Sequence, residues 1–164
     1  MTTDRRIIDG FLRDLNRMQV NKSPLGEAKK KPLLVLLVVA MLKEGSLSEN
    51  QIRYTDIDKR LSVLITRYGG RPTESGTKTE QPFFHLRTSP FWHLTVPLGR
   101  QTGNRVTISR KSLLAPGAFA QLSPQVFELL RNDDGARDEV INAIVERWWE
   151  KSDGARIKSE LGIV

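Results

Sequence analysis

From about Asp4 to Val20 apolar residues recur at helical spacing. Ile7, Ile8, Phe11, Leu12, Leu15 and Met18 fall together, while Arg5, Arg6, Arg13 and Arg17 take the other sides. This predicts an amphipathic first helix. Asn21 to Lys31 then carries Pro24, Gly26 and three consecutive lysines, a loop that delivers charge to the next element. Pro32 suits a first helical position, where its missing N–H would be unpaired anyway. The run Leu33 to Leu42 (LLVLLVVAML) has no polar side, which predicts a second helix buried all round and stopped by Gly45.

Ile52 to Tyr54 reads as a short strand. Thr55 with Asp58 three residues on resembles a capping box, and Ile57, Leu61, Leu64 and Ile65 share the face of a third helix that ends at Gly69-Gly70. Pro72 to Glu80 is polar and turn-rich, a loop. Phe83–Leu86 and Trp92–Val96 are expected as two strands joined through Arg87 to Pro90, with Val106–Ile108 as a third. Ser123-Pro124 opens a helix through Leu130, and Asp133 or Asp134 caps another from about Ala136 to Lys151 that carries Val140, Ile144, Val145, Trp148 and Trp149. The pattern predicts a mainly α, α+β fold: a winged helix-turn-helix-like unit with a basic β-hairpin and additional C-terminal helices. Residues 1–164 are expected to form a single domain. It comprises an N-terminal helix and basic loop (1–31), a core with hairpin (32–111), and C-terminal helices (112–164).

Composition adds that 38% hydrophobic and 27% charged residues, arranged in periodic blocks, describe a folding chain rather than a disordered one. With no Cys there is neither disulfide nor thiolate metal site, and the first residues lack the zones of a signal peptide. A cytoplasmic protein is expected. The Leu33–Leu42 run falls short of the roughly 20 residues that a bilayer core requires, so no membrane partner is expected.

Charge changes the picture more. The formal net charge is +7, and the segment Lys78 to Lys111 holds six Lys/Arg against one acidic residue, Glu80. By contrast residues 112–164 hold six basic and nine acidic residues. The positive charge is therefore localised, as on a protein that grips a polyanion. The acidic C-terminal helices are expected to buttress the wing and face away from nucleic acid.

Candidate chemistry is narrow. His85 and His93 are the two histidines, neither has a partner at a metal-ligand spacing, and there is no Gly-rich phosphate loop. No catalytic residue, metal site or cofactor is expected. Asp56 and Asp58 read as charges favoured at a helix N-terminus. Phe83, Phe84, Phe91 and Trp92 are candidates to stack on bases or to fill a core; strand alternation would let at most one of Phe83 and Phe84 face inward. An outward aromatic beside Pro82 and His85 would form an apolar concavity in a cationic field.

The blocks KKPLLVLL (Lys30 to Leu37) and QPFFHL…FWHL (Gln81 to Leu94) resemble the sulfur-binding domain of type IV, McrA-like restriction endonucleases that recognise phosphorothioated DNA. The resemblance implies recognition of double-stranded DNA in which one non-bridging backbone oxygen is replaced by sulfur. That sulfur is larger, more polarisable and less hydrated, so apolar walls favour it. Carried over, the implied sulfur pocket is Gln81, Pro82, Phe83 and His85, closed on one side by Lys31. Gln81-Pro82 stands where relatives often carry Tyr-Pro, and His85 where a smaller residue is expected. The stretch Leu98 to Lys111 is implied as a base-reading arm, with Arg100, Arg105 or Arg110 suited to bidentate contact with guanine. Lys30, Arg71, Lys78, Arg87 and Lys111 are assigned to backbone phosphates. Relatives are commonly joined to an HNH-type nuclease domain, so the full-length protein is expected to supply cleavage outside this chain.

Two alternatives stay open. A winged-helix transcription regulator would read unmodified DNA with its third helix, which offers Lys59, Arg60 and Arg67. A protein-interaction module would use exposed aromatics and bind without steep salt dependence.

Overall fold

The computed structural model describes residues 2–18, 22–23, 26–27, 29–70, 78–97 and 110–163. Helix α1 (Thr3–Asn16) starts where the Thr2 hydroxyl accepts from the Arg5 N–H, and it buries Ile8, Phe11 and Leu15. A two-residue antiparallel ribbon, β1 (Lys22–Ser23) and β2 (Gly26–Glu27), occupies part of the stretch expected as loop.

Helix α2 (Lys30–Glu44) is the centre of the molecule. Every residue from Pro32 to Leu42 is buried, as the unbroken apolar run predicts, and Gly45 ends the helix at φ +82°, a left-handed conformation that glycine adopts without strain. Helix α3 (Tyr54–Tyr68) packs against it. The expected capping box is not formed: Thr55 lies inside α3, Arg53 occupies the cap, and Asp58 is drawn into tertiary bonds described below.

The main departure concerns residues 80–88. Glu80–His85 form a short helix, α4, continued by a 3-10 turn at Leu86–Thr88, where two-residue alternation had predicted a strand. A strand would alternate burial, yet Pro82, Phe83, Phe84 and Leu86 are all buried while His85, Arg87 and Thr88 are exposed. Pro82 fits the first turn of a helix, and Ser89, extended before Pro90, ends the helical stretch. Both Phe83 and Phe84 therefore face inward.

Strand β3 (Trp92–Thr95) agrees with expectation, but its partner differs. The short helix α5 (Arg110–Leu113) intervenes before β4 (Phe119–Leu122), which pairs antiparallel with β3 in the register Trp92 to Leu122 and Thr95 to Phe119. On its other edge β4 meets Ile52, which exchanges two backbone hydrogen bonds of 2.7 and 2.8 Å with Ala120. Asn50 extends this pairing: its side chain donates to the Leu122 carbonyl at 2.8 Å and accepts from the Leu122 N–H at 2.9 Å. The expected hairpin of 83–86 with 92–96 is thus replaced by β3–β4. The third strand expected at Val106–Ile108 lies outside the described residues.

Helix α6 (Pro124–Asn132) opens at Ser123-Pro124, and α7 (Asp134–Trp148) is capped by Asp133, which accepts from the Ala136 N–H at 3.0 Å. Trp149 is extended and ends α7, so Lys151–Leu161 form a separate helix, α8. Gly154 lets α8 approach α7 closely; a Cβ there would come within 2.6 Å of Val145 Cγ1. Helices α6 and α7 cover α1 and α2, α8 packs on α7 and α3, and α6 also packs on β4. Among the described residues no helix is long and apolar enough to cross a membrane.

Candidate nucleic-acid interface

Helix α4 is seated by aromatic packing. The Phe83 ring is fully buried between Tyr54 and Trp92, with edge-to-face centroid separations of 5.6 and 5.5 Å, and the Trp92 indole N–H donates to the Phe83 carbonyl at 2.9 Å. Phe84 is buried too, and the Arg87 guanidinium lies over its ring at 3.9 Å. Phe91 packs edge-on against Phe11 at 5.0 Å. None of Phe83, Phe84, Phe91 and Trp92 therefore offers a face to an extruded base. The core reading holds for all four.

What α4 and its turn present to solvent is His85, Arg87 and Thr88, with Gln81 half-buried and Pro82 buried beneath. Helix α2 packs on α4 and brings Lys31 to the same place. The His85 imidazole is held below its ordinary pKa of 6.5, first by burial and then by the positive charges of Lys31 and Arg87. Burial likewise lowers the pKa of Lys31. Two elements far apart in sequence thus gather two cations and a largely neutral imidazole beside a proline. The first turn of α2 carries lysines and no acidic residue, so the positive end of the helix dipole adds to the same field.

A second junction lies behind α4. Asp58 on α3 accepts through Oδ2 from the Arg110 guanidinium at 2.7 Å and through Oδ1 from the Thr79 hydroxyl at 2.5 Å. With its proton committed to the carboxylate, the Thr79 hydroxyl accepts from the buried Tyr54 hydroxyl. Burial, foremost, raises the Tyr54 pKa. Arg110 also sits 5.8 Å from the centroid of the Tyr54 ring.

The structure therefore brings together Lys31, Gln81, Pro82 and His85, and puts Phe83 behind them as support. Lys78, Arg87 and Lys111 are exposed, whereas Lys30 is only 8% exposed at the start of α2. Arg110 is 59% exposed while paired with Asp58. Arg71, Arg100 and Arg105 lie outside the described residues. Sequence reasoning missed Asp58, Thr79 and Tyr54 as a unit, since local patterning assigned Asp58 to a helix end. Among the described residues no group of three His, Asp or Glu is arranged to hold a metal ion.

Three arginines outside this cluster pair with carboxylates of other residues. Arg5 on α1 pairs with Asp9 and with Glu139 of α7; Arg60 donates to both oxygens of Glu44, at 3.0 and 2.8 Å; Arg67 pairs with Glu160 of α8. Arg60 and Arg67, the arginines of α3, thus each carry an exposed ion pair to a neighbouring helix or its end.

The model of the ScoMcrA-like DNA sulfur-binding domain family matches residues 8–164. The chain belongs to that family. Among solved structures, the sulfur-binding domain of SprMcrA complexed with phosphorothioated DNA is 20% identical with a TM-score of 0.78, covering 99% of this chain and 98% of its own. The sulfur-binding domain of ScoMcrA complexed with phosphorothioated DNA is 18% identical with a TM-score of 0.73, covering 93% and 95%. A structure of the type IV phosphorothioation-dependent restriction endonuclease ScoMcrA is 20% identical with a TM-score of 0.60; the match covers 90% of this sulfur-binding domain but 25% of the endonuclease chain. No curated protein matches the sequence. At these identities the likeness is one of fold, and it extends over nearly the whole sulfur-binding domain.

Proposed function

We propose that this chain recognises double-stranded DNA carrying a backbone phosphorothioate, as the targeting module of a modification-dependent restriction enzyme. The observation that carries the reading is the family match over residues 8–164. The local chemistry agrees with it. Lys31 and Arg87 supply a cationic rim for the charged phosphorothioate, His85 adds a ring that can take up a proton beside it, and Pro82 with the aliphatic part of Gln81 supplies apolar contact for sulfur. An ordinary phosphate oxygen pressed against such a wall without a donor would lose hydration at a cost of about 1–3 kcal/mol; sulfur gives up less.

Around the pocket, the exposed Lys78, Arg87 and Lys111 are the stronger phosphate contacts, with Arg71 and the largely buried Lys30 as further ones. Arg100, Arg105 and Arg110 are assigned to base reading. Residues 1–164 act as a single domain. The order α2, Ile52 bridge, α3, α4, β3, α5, β4 supports a winged-helix-like description. This chain binds and does not cut, cleavage belonging to a separate nuclease domain of a longer, cytoplasmic protein.

The test is a titration of a short duplex with and without one phosphorothioate at several salt concentrations. The sulfur-containing duplex should bind at least tenfold more tightly, about 1.4 kcal/mol. Equal affinities would overturn the sulfur reading and favour a regulator of unmodified DNA.

A further inference from the structure

Asp58 takes hydrogen bonds from two separate parts of the candidate interface. Through Oδ2 it holds Arg110, and through Oδ1 it holds Thr79, the residue that immediately precedes the pocket helix α4. Its side chain is 18% exposed, and the Tyr54 hydroxyl, bonded to Thr79, closes its inner side. Arg110 by contrast keeps 59% of its side chain in solvent. Among the described residues it is gripped through one nitrogen, and its exposure lets the rest of its planar donor fork reach a partner.

We propose that Asp58 is a positioning residue for DNA recognition: by holding the Arg110 guanidinium and the Thr79 end of α4 through one carboxylate, it fixes the arginine's orientation relative to the pocket. The inference rests on the reading of this domain as a DNA binder. An arginine makes bidentate contacts only when its plane is set, and a carboxylate anchored by a second donor is a support that cannot swing away. Pre-setting that plane removes an ordering cost that would otherwise fall on binding. The arrangement differs from a competitor, because a carboxylate that merely occupied Arg110 in the free protein would have to be displaced by DNA, and its loss would tighten binding.

The decisive experiment is a pair of mutant cycles on the whole chain, read by fluorescence anisotropy with sulfur-containing and ordinary duplexes and accompanied by thermal melts. Asp58→Asn keeps the shape and the acceptor for Thr79 but removes the charge that holds Arg110. It should weaken binding about tenfold, the scale of one lost bidentate contact. Arg110→Gln should do the same, and the double variant should be no weaker than Arg110→Gln alone. Unchanged or tighter binding by Asp58→Asn, or losses that multiply in the double variant, would overturn the proposal.

Should Asp58→Asn fail to fold, Thr79→Val tests the other arm of the same carboxylate. Thr79 and Arg110 share no hydrogen bond with one another, so a merely structural effect of Thr79→Val would multiply with that of Arg110→Gln. A positioning role predicts instead that Thr79→Val weakens binding in wild type but not in the Arg110→Gln background. Equal wild-type affinity for the two duplexes would count against the sulfur pocket alone, since the cycles on the ordinary duplex would still report on Asp58.

Discussion

The indole N–H of Trp92 points at the carbonyl oxygen of Phe83, 2.9 Å away in the interior. One bond ties the first strand of the sheet to the helix that presents Gln81, Pro82 and His85. Trp92→Phe should leave that carbonyl without its partner and a void beside it, costing about 3 kcal/mol. Urea denaturation measures this. Phosphorothioate binding should weaken by more than the small unfolded fraction explains, because α4 loses its seat.

Pocket and rim should fail differently. Pro82→Ser should erase much of the preference for sulfur while sparing the weak, salt-sensitive binding of ordinary DNA. Lys78→Gln should lower affinity for both duplexes and flatten the dependence of log affinity on log salt by about one unit. Parallel titrations of both variants at several salt concentrations test the distinction; proportional losses on both duplexes would remove support for a separate pocket.

His85 sets a pH dependence whose sign follows from its depressed pKa. The folded protein binds the imidazole proton less readily than the unfolded chain, so the stability gained from a neutral His85 is full above about pH 6.5 and is lost as the pH falls through the lower folded value. Binding has the opposite sign. A phosphorothioate beside the ring favours the protonated form, so complex formation takes up a proton and affinity should rise between pH 7.5 and 5.5. His85→Gln should flatten both profiles, whereas His93→Gln should leave the binding profile intact. Thermal melts and anisotropy over that range measure the two.

Arg60 and Arg67 are held by Glu44 and Glu160. Their replacement by Gln should change affinity for the sulfur-containing duplex less than twofold, in line with the small worth of exposed ion pairs. A loss of tenfold or more by either variant in the same titration would return α3 to the role of reading helix.

How far the sequence disclosed this molecule varies by element. Helix α2 was legible because Leu33–Leu42 offers no polar face and Gly45 supplies its stop, both properties of the local chain. Helix α4 was not, because five residues such as Pro82 to Leu86 fit either period and the choice is made by Tyr54 and Trp92, which lie outside the segment. Strand β4 escaped notice for a similar reason. Its four residues gain meaning only when paired with Trp92–Thr95 and Ile52. In the candidate site, Lys31 and His85 were legible as a pair through the family resemblance, and the structure brings them together. Asp58 was not, since its partners Thr79 and Arg110 follow 21 and 52 residues later and leave no trace in the spacing around it.

The ion pairs that engage Arg5 and Arg67 have a consequence for kinetics. Glu139 and Glu160 each neutralise one cation, Arg5 on α1 and Arg67 on α3, and residues 112–164 are net acidic, whereas Lys78, Arg87 and Lys111 meet no carboxylate within salt-bridge distance among the described residues. Such a molecule carries an electric dipole as well as a charge. On the proposed function, the field of a duplex would turn it while still diffusing, so that a larger share of encounters would begin with the Lys78 and Arg87 side foremost, and the association rate should fall steeply as added ions shorten the reach of that torque.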